Sequence, residues 1–147
     1  MSIKDMFSKE RVNFDLKSAT KSDVLDELIE ILFTDGKVTD KKAFKQAVLK
    51  REEEFSTGIG MGIAIPHGKS SAVTEASIVF GKSKNGIDYN SMDGQPAYLF
   101  FLIAVPEKSD DVHLRALSEI SRKLMHAEIR EQLFDTNSFE EFIKIFE

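Results

Sequence analysis

Apolar and polar residues alternate at Val12, Phe14 and Leu16, the period-two mark of a half-buried strand. The period then changes. Val24, Leu25, Leu28, Ile29 and Leu32 recur at helical spacing behind Thr20 or Ser22, either of which can cap a helix, and Gly36 follows as a stop. Asp40 can cap a second helix that turns Phe44, Ala47 and Val48 inward. In the middle of the chain, Ile63 and Ile65 bury a short strand that Pro66 stops. Ser77 to Lys82 and Ala97 to Val105 read as further strands, with a tight-turn signal at Asn85-Gly86 between them and Pro106 as the end of the second. Ser109, Asp110 or Asp111 can cap a helix running to about Met125. A short helix near Glu128 to Phe134 follows, and Ser138 caps a last one with the stripe Phe139, Phe142, Ile143 and Phe146. Helices before, between and after strands predict an α/β fold: a single domain over 1–147 with a mixed sheet flanked by helices on both faces.

Composition narrows the class. The chain has 147 residues, 41% of them hydrophobic and 31% charged, enough to bury a core under a charged surface. A formal net charge of −5 argues against nucleic acid as a partner. With no cysteine there are no disulfides, thiolate zinc sites or cysteine nucleophiles. The longest apolar run, Ala97 to Val105, has nine residues, against roughly 20 for a helix that crosses a bilayer. The first residues lack the apolar stretch of a signal peptide. These features predict a cytoplasmic protein without membrane insertion. The start at Met1 and the capped closing helix favour a free protein.

The informative chemistry lies between Arg51 and Gly68. Gly58, Gly60 and Gly62 alternate there in a stretch almost without charge. A dinucleotide fingerprint would need its third glycine where Ile63 stands. A P-loop would need four residues between Gly62 and Gly68-Lys69-Ser70, where there are five, and Pro66 removes an amide donor. Both motifs fail on spacing. His67 remains, placed just past a strand end in a loop. Neutral imidazole is a nucleophile near neutral pH, and a transferring phosphoryl group needs donors around it. Arg51 can hold phosphate oxygens bidentately. His113 shares a helix stripe with Leu117, Ile120 and Leu124 near a helix N-terminus that favours an anion. Each residue also has a plainer reading: a loop histidine, a core histidine, and a cation complementing a helix C-terminus. The Glu52-Glu53-Glu54 run reads as solvated surface, and His126 is given no role. A metal site built on His67 and His113 lacks a further ligand at convincing spacing.

The stretch Ser56-Thr57-Gly58-Ile59-Gly60-Met61-Gly62-Ile63-Ala64-Ile65-Pro66-His67-Gly68 resembles the active-site signature of the enzyme IIA domains of the phosphoenolpyruvate-dependent sugar phosphotransferase system, fructose/mannitol class. Gly86 to Ala97 looks like the fructose-type branch, and Ile103 to Pro106 followed by His113 to Leu124 extends the resemblance over almost the whole chain. Tyr89 stands where many fructose-type members carry tryptophan. The resemblance implies one α/β domain with no cofactor and no metal. It implies that His67 takes a phosphoryl group on Nε2 from the phosphocarrier HPr and passes it to the sugar-specific enzyme IIB component. His113 then matches the second active-site histidine and Arg51 the arginine that opens the motif. The competing reading is a nitrogen-related regulatory protein that shares the signature and acts by phosphorylation-dependent binding. Ile59 and Met61 are expected to present an apolar docking surface round His67, and the acidic net charge fits steering toward a basic carrier.

Overall fold

The first long helix, α1 (Lys21–Thr34), starts at Thr20, whose Oγ1 accepts a hydrogen bond from the Asp23 amide at 3.1 Å; Ser22 lies inside the helix. Asp40 caps α2 (Lys41–Glu54) through the Ala43 amide at 3.0 Å, and Ser138 caps α5 (Phe139–Ile145) through the Glu141 amide at 3.2 Å. These capped ends come from a computed structural model that describes residues 3–109 and 111–147. Two further helices are α3 (Val112–Leu124) and α4 (Ala127–Asp135). Asp111 occupies the N-cap position of α3 without a side-chain cap bond, Ser109 Oγ donates instead to the Pro106 carbonyl at 2.8 Å, and Asp110 lies outside the described residues.

The described residues form a six-stranded mixed sheet. Its strands are β1 (Val12–Asn13), β2 (Gly58–Gly60), β3 (Ile63–Ala64), β4 (His67–Ser70), β5 (Ser77–Ile87) and β6 (Ala97–Pro106). The order is β1-β5-β6-β3-β2, and β4 pairs with β6 beyond the end of β3. Strands β5 and β6 are antiparallel, whereas β3 and β4 run parallel to β6. The central strands are buried on both faces, as their continuous apolar runs require. One face packs against α1 and α2 through Leu25, Leu28, Leu32, Phe44 and Val48. The other packs against α3, α4 and α5 through Ala116, Ile120, Leu124, Leu133 and Phe142. Helices therefore flank both faces of a mixed sheet, as the hydrophobic pattern predicts.

Three boundaries differ from the pattern. The strand expected through Leu16 stops at Asn13, because Asn13 Oδ1 turns back to accept the Asp15 amide at 2.9 Å. Asn85-Gly86 is not the turn between the two long strands. Strand β5 continues to Ile87 with an irregularity after Lys82, and residues 88–96 make the connection. Gly86 has φ +82°, and a Cβ there would lie 2.8 Å from Tyr98 Cε1, so the glycine serves a bulge packed on its neighbour. His67 is not in a loop: it opens β4.

Candidate functional site

Strand β4 is laid down by its partner. The Ile103 amide donates to the Pro66 carbonyl at 2.9 Å, and His67, Gly68 and Lys69 then align with Ile103, Ala104 and Val105 of β6. Ile103 and Val105 belong to the core under α3, whereas Ala104 belongs to the core under α1 and α2. The two-residue period therefore sends His67 and Lys69 to the α3 side and turns Gly68 toward α2. A Cβ on Gly68 would lie 2.9 Å from Val48 Cγ2 and 3.0 Å from Phe44 Cε1. Its absence lets α2 rest on the strand. Arg51, three residues after Val48 on the same helix side, is thereby brought to the end of β4.

The three residues singled out in the sequence meet in one open pocket of about 410 Å³. Helix α2 contributes Ala47, Lys50, Arg51 and Glu54, β4 contributes His67, Gly68 and Lys69, and α3 contributes His113 and Leu114. The His67 and His113 rings are 6.4 Å apart between centroids and inclined by 32°, close enough for both to touch one small anion. His67 Nδ1 lies 3.0 Å from the Ile65 carbonyl. A carbonyl oxygen only accepts, so Nδ1 carries the proton and Nε2 keeps its lone pair. Arg51 Nη1 donates to the Phe55 carbonyl at 2.9 Å, and its Nε lies 4.0 Å from Glu54.

Burial works against protonation of both rings. Burial is the main cause that lowers the pKa of His67 below 6.5; Arg51 and His113 push the same way, against the Ile65 bond and Glu52. The pKa of His113 is lowered first by burial and then by the charge of Lys69, opposed by Asp111. His113 Nδ1 is buried with no hydrogen-bond partner among the described residues, so protonating it would bury an unpaired N–H.

Glu52 departs from the surface reading of the Glu52-Glu53-Glu54 run. Its side chain is only 5% exposed. The carboxylate accepts the Thr57 amide at 2.9 Å, the Thr57 hydroxyl, and the Tyr89 hydroxyl at 2.9 Å, with Lys21 Nζ at 3.5 Å. Lys21 also sits over the Tyr89 ring at 4.5 Å. Burial and the adjacent carboxylate raise the Tyr89 pKa well above 10, so the phenol stays a donor. This cluster anchors the start of the glycine segment to the end of α2. The one available signal was helical period: of the three glutamates, only Glu52 lies four residues past the buried Val48.

Ile59 and Met61 do not line the pocket of His67. Ile59 packs on the core beneath α3, and Met61, 52% exposed with φ +59°, lines a separate hollow with Tyr98 and Phe134. The exposed apolar group at the His67 pocket is Leu114, 53% exposed. Lys50 and Lys69, which the sequence reading passed over, add two ammonium groups to the rim. No group of three or more metal-ligating side chains occurs among the described residues, and none of their helices is long and apolar enough to cross a membrane.

Comparison with known proteins places this geometry in context. A family model described as "Phosphoenolpyruvate-dependent sugar phosphotransferase system, EIIA 2" matches residues 5–147. The chain is 46% identical over 145 residues to the PTS system fructose-specific EIIABC component of Bacillus subtilis (strain 168), covering 99% of this chain and 23% of that protein. It is 40% identical over 129 residues to the PTS system fructose-specific EIIA component of Haloferax volcanii, covering 88% of this chain and 84% of that protein. Among solved structures, it superposes on nitrogen regulatory protein IIA-Ntr from Neisseria meningitidis with TM-score 0.86 at 27% identity, over 99% of both chains. It also superposes on enzyme IIA-Mtl of Escherichia coli, solved in complex with phosphorylated enzyme IIB-Mtl. There the TM-score is 0.81 at 25% identity, over 95% of this chain and 97% of the other.

Proposed function

The chain belongs to the EIIA 2 family of the phosphoenolpyruvate-dependent sugar phosphotransferase system, and from that premise we propose that it carries a phosphoryl group on His67 during sugar uptake. It takes the group from phospho-HPr and gives it to a fructose-type enzyme IIB component, working as a single carrier domain in the cytoplasm. The observation that carries this reading is the Nδ1–H bond from His67 to the Ile65 carbonyl, which leaves Nε2 as the nucleophile in a pocket shared with His113 and Arg51.

In the proposed step, the bond from the donor to phosphorus breaks as the bond to Nε2 forms. The Nδ1 proton stays on the ring, where the Ile65 carbonyl supports the positive charge that develops. Charge on the phosphoryl oxygens meets donors from two sides. His113, neutral with its proton on Nε2, donates from the start of α3, and Arg51 offers the guanidinium nitrogens not bonded to Phe55. The low pKa of His67 keeps it unprotonated, and so nucleophilic, at neutral pH.

Incubation of the purified chain with phosphoenolpyruvate, enzyme I and HPr tests the proposal by intact mass. One acid-labile phosphoryl addition is expected, and it is absent from His67→Ala. No addition to the unaltered chain would overturn the carrier reading.

The likeness to IIA-Ntr supports a second reading, a regulator that binds other proteins according to its phosphorylation state. The higher identity to fructose-specific relatives supports the sugar branch. Adding a fructose-type IIB protein to the phosphorylated chain separates the two: rapid loss of the phosphoryl group to IIB is expected for a carrier of sugar transport, and retention favours the regulator.

A further inference from the structure

Lys69 stands two residues past His67 on β4 and shares its face of the sheet, since both align with β6 residues that belong to the core under α3. Its side chain is exposed, makes no hydrogen bond or ion pair among the described residues, and lines the pocket of His67 and His113. An exposed lysine with no partner has nothing to hold in the scaffold. The other cations are differently placed. Arg51 is bonded to the carbonyl of Phe55 at the end of its own helix, with Glu54 nearby. Lys50 lies on the exposed side of α2. Lys69 is carried by the strand that carries the acceptor itself.

A phosphoryl group on His67 brings two negative charges into a pocket with one carboxylate, Glu54, on its wall. Its transition state spreads charge over three equatorial oxygens, and two donor groups leave one side of that charge facing solvent. We propose that the Lys69 ammonium is the third donor, binding the phosphoryl oxygens from the strand side while His113 and Arg51 bind them from α3 and α2. This assignment rests on the carrier reading and adds a phosphoryl-binding residue to it. The field of Lys69 already reaches the site, where its charge contributes to the lowered pKa of His113.

Substitution of Lys69 by Gln and by Arg tests the assignment, with phosphoryl exchange against phospho-HPr followed in both directions. Lys69→Gln should slow transfer about 100-fold, the lower end of the scale for removing one preorganised donor, and should shift the exchange equilibrium toward phospho-HPr. Lys69→Arg should keep most of the rate, because it keeps the charge. NMR titration of the unphosphorylated protein gives a second readout: the His113 pKa should rise in Lys69→Gln and not in Lys69→Arg. Unchanged rate and equilibrium in Lys69→Gln, with the unaltered chain phosphorylated normally, would overturn the role of Lys69 and leave the carrier reading standing. Equal loss in both variants would also overturn it, by assigning the effect to packing. Failure of the unaltered chain to accept phosphate would remove the carrier reading and this inference with it.

Discussion

The side chain of His67 is half-buried, and its one hydrogen bond is to a carbonyl two residues back, so the ring does little for stability and can be removed without exposing a core. His67→Ala should therefore lose all phosphoryl acceptance while its thermal midpoint stays within a few degrees of the unaltered chain, as calorimetry would register. The fold survives because the backbone of β4 still pairs with β6, not because the residue is in a loop. His113→Ala should accept the group roughly 100- to 1000-fold more slowly, since it removes a donor and spares the nucleophile. The two histidines also set a pH dependence. Both have folded pKa values below 6.5, so just under that pH the unfolded chain binds more protons than the folded one. Their contribution to stability is complete above about pH 6.5 and is lost as pH falls toward the folded values. Urea unfolding at pH 7.5 and pH 5.5 should show this loss, and His67→Gln should show less of it. Sequence alone singled out His67, Arg51 and His113, through a long motif and a resemblance, and the fold brings the three into one pocket. Sequence passed over Lys69 at the pocket and the burial of Glu52, because an unpaired lysine and one glutamate among three carry no mark of their own until the strand and helix that aim them are known.

At the scale of elements, the site depends on how closely α2 lies on β4. Gly68→Ala would drive a methyl into Val48 and Phe44, costing about 1–3 kcal/mol and displacing the helix that carries Arg51. Denaturant unfolding should show the loss, with transfer from HPr slowed as well; an unchanged midpoint and rate would mean that the helix does not need this contact. The helices themselves were legible. Thr20, Asp40 and Ser138 cap them, and the stripes Val24 to Leu32 and Phe139 to Phe146 face the core, because caps and helical period are local properties of the chain. Strand β4 was not legible. His67-Gly68-Lys69-Ser70 has no apolar alternation, and only pairing with β6 makes it a strand. Lys82 lies within the strand expected from Ser77, but what holds its buried charge there was not legible. Its ammonium caps the end of α4 by donating to the carbonyls of Phe134 at 2.7 Å and Thr136 at 2.5 Å.

Across the whole molecule, a chain of net charge −5 gathers Lys50, Arg51 and Lys69 at one pocket, so its charge is acidic in sum and basic at the proposed acceptor. The acidic remainder can still guide a basic carrier toward the surface. The exposed apolar side chain at the mouth of the pocket is Leu114, where Ile59 and Met61 were expected. If partners dock over this mouth, Leu114→Asp should raise the KM for phospho-HPr about fivefold or more, the scale of an interface residue whose loss costs over about 1 kcal/mol, and leave the hydrolysis rate of the phosphorylated protein unchanged. An unaltered KM would move the docking surface elsewhere. The layered architecture was legible as a class from the order of helical and strand periods. Its strand order was not, because pairing of β4 and β3 with one side of β6 is decided by long-range contacts.

The central claim is that Nε2 of His67 receives the phosphoryl group while Nδ1 stays bonded to Ile65. Nitrogen-15 NMR of histidine-labelled protein, recorded before and after phosphorylation by HPr, addresses it directly. The account predicts a neutral His67 ring protonated at Nδ1 beforehand, and phosphorus coupling at Nε2 of that ring afterwards, with His113 and His126 unmodified. Phosphorus on Nδ1, or on either of the other two histidines, would contradict it.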